Sequence, residues 1–410
     1  MAICAPVAVV IGSTVALFLW LLNLAIVFRF NNPWLLYALP LAGVAIWFTY
    51  KKWGGAAEKG NNLIMEEIHT PGGGVPKRMA PLVLAATVIT HLFGGSAGRE
   101  GTAVQMGGSI AQFFSKQFKL NVDDTRIMLT AGIAAGFGAV FGTPLAGAIF
   151  ALEVLAIGRI KYDALLACLI AAIIADQTVS AWGIKHTAYY IDIVPAAKNA
   201  LSPYFHLDIL LLLKVVLAAI AFGLTSRLFT RAVHVVKNTL NKYITTQWLI
   251  PVVGGIAIIA LTFVIGKPDY LSLGVNAEYP GAVTIPSAFH LQGADRWSWL
   301  WKTIYTAITL GSGFKGGEVT PLFYVGATLG NTLSHLLHAP VSLFAALGFI
   351  AVFAGATNTP LACTLMGVEL FGGEYVLFFA VACFTAYYFS GDASIYGAQR
   401  VAVPKTQNDA

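Results

Sequence analysis

Charge is what this sequence has least of. Asp, Glu, Lys and Arg make up 11% of its 410 residues, where a soluble domain carries about 25%. Hydrophobic residues fill 57% of the chain and the mean hydropathy is +0.74. That balance excludes an ordinary water-soluble fold and predicts an all-α polytopic membrane protein, long enough for roughly a dozen crossings of about 20 residues each. Cysteine is scarce too. Cys4, Cys168, Cys363 and Cys383 lie in or beside apolar runs and form no CxxC pair, so they read as small buried hydrophobes. HExxH, a Walker sequence and a His/Cys ligand cluster are all missing, so no metal or other cofactor is expected. The stretch Gly311-x-Gly313-x-x-Gly316 satisfies a dinucleotide fingerprint, but no acid follows Glu318 until Glu369, and the ribose partner of that motif is therefore absent. The net charge of +6 is scattered and suits the flanks of membrane segments, with no call for a nucleic-acid partner.

What is present is a series of apolar runs, several of them interrupted. Val7 to Phe28 is long enough to span and lacks the basic start of a cleaved signal. Trp34 to Tyr50 follows, closed by Lys51, Lys52 and Lys59, and then a short polar helix for which Asn61 is the expected N-cap. Ile127 to Ala156 carries Gly132, Gly136, Gly138, Gly142, Pro144 and Gly147, the composition of close-packed or broken helices. Ile209 to Leu228 reads as a clean span. The stretch from Arg227 to Lys242, with four basic residues and no acid, reads as a cytoplasmic loop, and Lys267 to Trp297 as a long polar connection toward the other side.

One stretch organises the rest. Gly94 to Gly108, GGSAGREGTAVQMGG, sets Glu100 among six glycines. The glycines keep the backbone irregular, and Thr102 with the residues after it begins a helix. Unpaired N–H groups and the positive end of the helix dipole then face the place where a carboxylate or an anion can sit.

The second half repeats the first. Gly98-x-x-x-Thr102 followed by Gly107 is answered by Gly317-x-x-x-Pro321 followed by Gly326. Thr143-Pro144-Leu145-Ala146 with Glu153 returns as Thr359-Pro360-Leu361-Ala362 with Glu369, at nearly the same offset. Two homologous halves follow, 1–205 and 206–400, with a short polar tail at 401–410 and broken helices meeting near the midplane. In Gly316-Gly317-Glu318-Val319-Thr320-Pro321, Thr320 is the expected N-cap and Pro321 the first helical residue. Glu318, between two apolar segments, is expensive at membrane depth unless it handles protons or faces water at a helix end.

Gly98-Arg99-Glu100-Gly101-Thr102, the repeated Thr-Pro-Leu-Ala elements and the late Tyr396 together resemble the CLC family of anion channels and proton-coupled antiporters across nearly the whole chain. Chloride-handling members usually carry Ser at the position of Asn61, Pro at Thr102, and a Gly-x-Phe-x-Pro motif where this chain has Gly317-Glu318-Val319-Thr320-Pro321. At all three positions the chain departs toward the bacterial fluoride/proton antiporter branch. The resemblance implies a CLC-type fold of two inverted halves and a bacterial inner-membrane homodimer that exports fluoride against protons. It also implies that Glu100 and Glu318 gate and carry protons, and that Asn61, Gly98, Arg99, Gly101, Val319, Thr320 and Tyr396 surround the anion. Chloride members use an inner proton-transfer Glu where this chain has Val154, which leaves Glu318 as the replacement. Glu153 and Glu369 are expected to be structural acids at helix ends. The alternatives are a chloride/proton antiporter or passive chloride channel of the same fold and, from a different class, an intramembrane enzyme using Glu100 and Glu318 as an acid/base pair. The absence of catalytic motifs argues against the enzyme.

Overall fold

The computed structural model describes residues 3–192 and 208–405. The first part holds α1 (Cys4–Asn31), α2 (Leu39–Trp53), α3 (Asn61–His69), α4 (Met79–Leu92), α5 (Glu100–Gln117), α6 (Val122–Phe141), α7 (Pro144–Glu153), β1 (Ala156–Ile157) and α8 (Leu165–Ala181). The second holds α9 (Ile209–Tyr243), α10 (Leu249–Ile265), α11 (Ser298–Gly311), α12 (Val319–Leu337), α13 (Val341–Thr357), α14 (Pro360–Phe371), α15 (Val376–Phe389) and β2 (Arg400–Val401). β1 and β2 pair in parallel, Ala156 with Arg400 and Ile157 with Val401. The expected boundary at 205/206 and the last residues of the tail, 406–410, lie outside the described residues.

Among the described residues three helical segments, Cys4–Asn31, Pro33–Trp53 and Ile209–Tyr243, are long and apolar enough to cross a bilayer by length and composition. At 1.5 Å per residue α4 and α7 reach only about 21 and 15 Å, short of a hydrocarbon core of about 30 Å. Each therefore has an end inside the molecule, α4 before the buried Gly94 to Ala97 and α7 at the buried Glu153, and the backbone groups freed there must find partners.

One expectation fails here. Arg227 to Lys242 is no loop, because α9 runs unbroken for 35 residues to Tyr243. Nothing in that stretch breaks a helix, and Arg, Lys and Leu all favour one. Positive charge at a membrane boundary marks a surface and does not end a helix.

The helix pair α6–α7 is built like α13–α14. Each first helix ends on a left-handed residue, Gly142 at φ 73° and Asn358 at φ 59°, and each second helix opens on Thr-Pro with the proline in its first turn. Contacts between helices repeat in the same way. A Cβ added to Gly107 would strike the Gly132 carbonyl, and one added to Gly326 the Gly348 carbonyl, so α5 lies on α6, and α12 on α13, at backbone distance.

The carboxylates that close these motifs cross between halves. Glu153, at the end of α7, accepts the N–H groups of Leu361 and Ala362 at 3.0 and 2.8 Å. Glu369, near the end of α14, accepts those of Leu145 and Ala146 at 2.9 and 2.8 Å. Each acid thus satisfies the orphan donors of the other half's short helix, which bears out the structural reading of both.

The long connection after α10 is fastened from below. Arg29 pairs with Glu278 at 2.6 Å. The fully buried Lys302 amine donates to the carbonyls of Tyr270 and Ser272 at 3.1 and 2.7 Å, and His91 Nδ1 meets Ser272 Oγ at 3.1 Å. These polar groups are tolerated in an apolar interior because each finds oxygen partners.

Candidate functional site: an anion cradle between two helix N-termini

α4 ends at Leu92 and α11 at Gly311, and the chain then passes through two irregular glycine segments that meet. Gly98 and Gly317 face each other as an antiparallel pair: Gly98 N–H donates to Gly317 O at 2.6 Å and Gly317 N–H to Gly98 O at 2.8 Å. Reciprocal bonding of this kind relates the two segments by a local two-fold. A Cβ on Gly98 would come within 3.0 Å of the Gly317 oxygen, and one on Gly317 within 2.8 Å of Gly101 N, so the approach requires glycine at both positions. α5 and α12 start on either side of this contact and aim their first N–H groups at one region.

Glu100 occupies that region. It is the first residue of α5 and only 1% exposed. Its Oε2 accepts Arg99 N–H at 3.1 Å and Thr320 N–H at 3.0 Å, and its Oε1 accepts the Thr320 hydroxyl at 2.6 Å. Arg99 Nε lies 3.6 Å from Oε1 and has no hydrogen-bond partner. Donors from both halves, with a guanidinium beside them, hold a desolvated negative charge where an isolated carboxylate would be far too costly.

Two of the capping expectations are corrected by this arrangement. Thr320 does not cap α12: the N-cap is Glu318, Thr320 is the second helical residue, and its hydroxyl turns to Glu100. The carboxylate is charged and near, and it outcompetes a local backbone N–H. Nor does Asn61 cap α3. Gly60 holds that position at φ 59° and Asn61 is the first helical residue, with its side-chain oxygen buried and without a partner. Its amide instead faces Gly101, where an added Cβ would sit 3.1 Å from Nδ2. Helix α5 also begins two residues before Thr102, whose hydroxyl meets that of Thr87 at 2.7 Å.

The remaining candidates divide between two spaces. A cavity of about 160 Å³ is lined by Asn61, Gln105, Lys315, Glu318 and Tyr396 among others. A smaller one of about 20 Å³ is lined by Arg99, Glu100, His186, Tyr189, Thr320 and Phe323. Gly98, Gly101 and the buried Val319, the first residue of α12, stand at the backbone junction between them. Tyr396 packs edge-on to Phe150. Its segment is tied down by Ala398 N–H to Asn62 Oδ1 at 3.0 Å and by Gln399 Nε2 to Val154 O at 2.9 Å. Lys315, whose amine stands 4.4 Å from the Tyr50 ring centroid, was not singled out from the sequence. A lysine between two apolar runs was the available signal. Gln105 and His186 had none, since each owes its place to a contact distant in the chain.

Comparisons with known proteins agree with this geometry. The "Chloride/fluoride channel protein" of Pseudomonas syringae pv. tomato is 48% identical over 402 residues, spanning 98% of this chain and 86% of that one. The crystal structure of a CLC-type fluoride/proton antiporter superposes with a TM-score of 0.88 at 33% identity, over 97% of both chains. A slow cyanobacterial Cl−/H+ antiporter matches at a TM-score of 0.77 and 20% identity, over 94% of both chains, a likeness of fold alone. The family model described as voltage gated chloride channel matches residues 42–391. With that extent of match and the all-helical fold of its solved relatives, the chain belongs to the CLC family of membrane transport proteins.

Proposed function

We propose that the chain is a fluoride/proton antiporter that exports cytoplasmic fluoride across the bacterial inner membrane and thereby confers fluoride resistance. The observation that carries this is the Glu100 carboxylate held by donors from both halves, since donors that hold a carboxylate also hold a small anion. Fluoride and ionised Glu100 then exclude one another. Protonated Glu100 leaves the cradle, fluoride enters, and the proton crosses with the side chain. Glu318 lines the 160 Å³ cavity together with Asn61 and Tyr396. It serves as the inner proton carrier in place of an acid at Val154. Asn61, Gly98, Arg99, Gly101, Val319, Thr320 and Tyr396 make up the anion path. Fluoride is strongly hydrated and needs concentrated donors to replace its water. The 48%-identical relative named for fluoride and the fluoride/proton antiporter structure support the choice of ion.

On this reading residues 1–205 and 206–400 are half-repeats, 401–410 is a tail, and two chains pair as a homodimer, as the family resemblance implies. The relative's name also includes chloride and channel, which keeps a chloride antiporter or channel as the competing reading. Purified protein in liposomes, with fluoride and chloride efflux recorded separately, decides between them. Fluoride moves at least about tenfold faster, a difference of about 1.4 kcal/mol, and equal fluxes would overturn the fluoride assignment.

A further inference from the structure

A further cavity, closed by a residue near the chain end, lies away from the anion path. It encloses about 230 Å³ between the end of α3, the start of α6 and the connection from α7 to α8, and Arg400 of β2 closes it. Four cations line it, Arg126, Arg159, Lys161 and Arg400, against two acids, Asp123 and Asp163. Internal bonds leave much of that charge unanswered. Arg126 reaches Asp123 at 3.5 Å and the His69 carbonyl at 3.2 Å, with its Nε buried and unpaired. Arg400 donates to Thr70 Oγ1 at 2.8 Å. Arg159 and Lys161 have no side-chain hydrogen bond or ion pair among the described residues. The His69 imidazole is held below its ordinary range by burial and then by the charges of Arg400, Lys161 and Arg126, a sign that the cations converge on one place.

The geometry points to a binding site for a phosphate-bearing anion in this cavity, filled by the headgroup of an anionic phospholipid. Convergent guanidinium and ammonium groups match phosphate oxygens in charge and shape, and basic pockets beside membrane helices hold such headgroups. A lipid fits better than a free ion because exposed apolar side chains neighbour the cavity's basic and acidic residues along the chain. Tyr162 and Leu166, beside Lys161 and at the start of the apolar helix α8, are 62% and 57% exposed, as suits an acyl chain and an interfacial aromatic. Occupancy has a consequence for the transport path. Arg400 stands four residues after Tyr396, and its N–H donates to the Leu155 carbonyl at 3.3 Å, just beyond Glu153 and Val154. A headgroup bridging Arg400 and Lys161 therefore clamps the β1–β2 pair and the Tyr396 segment with it.

The test compares the parent protein with the double variant Arg159→Gln/Lys161→Gln, whose altered side chains make no hydrogen bond or ion pair among the described residues. Thermal unfolding is followed in detergent with added phosphatidylglycerol, phosphatidylcholine or inorganic phosphate. Phosphatidylglycerol should raise the parent's midpoint by several degrees over phosphatidylcholine. The variant should match the parent in phosphatidylcholine and need at least about tenfold more phosphatidylglycerol for half the effect. An equal phosphatidylglycerol response in both proteins, or none in the parent, would remove the site. A response to inorganic phosphate equal to that to phosphatidylglycerol would overturn the lipid as its occupant.

Discussion

Thr320 bonds Glu100 twice, through its backbone N–H at 3.0 Å and its hydroxyl at 2.6 Å, across 220 positions of sequence. One residue of the second half thus supplies two of the three hydrogen bonds that hold the carboxylate of the first. All three groups donate to the carboxylate, so a small anion in its place would meet the same donors. A site that can hold the side chain or an anion, but not both at once, is what coupled exchange requires.

Glu100→Gln tests this directly. The amide mimics the protonated side chain permanently, and fluoride-driven proton uptake into liposomes should fall to background. A pH electrode in the external medium reads the result. Proton uptake at the parent rate would remove Glu100 from the proton path.

Glu318→Ala separates proton transfer from folding. Glu318 lines the 160 Å³ cavity and makes no side-chain ion pair among the described residues. Removing an acid that makes no side-chain ion pair should leave the fold intact. Coupled turnover should drop at least about tenfold, the effect of about 1.4 kcal/mol on a barrier, while the variant stays monodisperse on size exclusion. Normal turnover would make Glu318 a bystander at a wet helix end.

Asn61→Ser addresses ion choice. The Asn61 amide stands beside Gly101 with two donor hydrogens where a serine offers one. Loss of a donor should narrow the fluoride-to-chloride flux ratio, by up to about tenfold for one hydrogen bond to a charged group. An unchanged ratio places the selectivity elsewhere in the cradle.

The crossed carboxylates should matter to stability, and unequally. Glu153→Ala leaves the N–H groups of Leu361 and Ala362 without acceptors in a buried setting, at about 1–3 kcal/mol each. Glu369→Ala exposes Leu145, already 47% open to its surroundings, together with Ala146, and should cost less. Apparent unfolding temperatures of the two variants in detergent give the order, and the reverse order would show that burial does not set the cost.

Much of this molecule could be read along the chain. Scarce charge and long apolar runs identify a membrane protein because the bilayer acts on every residue by composition. The Thr-Pro-Leu-Ala repeat marks helix starts because Thr-Pro acts locally, through fixed dihedrals and a missing N–H. Glu100 at a helix start follows from the glycines before it. Tertiary structure decided which donors meet which acceptors. Thr320 and Asn61 carry the residue types of N-caps, and a reading by neighbours assigns them that task, yet one hydroxyl goes to Glu100 and one amide to the face of Gly101. α9 runs through its basic stretch because charge does not stop a helix. Glu153 and Glu369 serve each other's half, and Gly98 meets Gly317. Such pairings are set by which orphan backbone groups the packed helices bring within 3 Å, a distance along which the sequence has no direction.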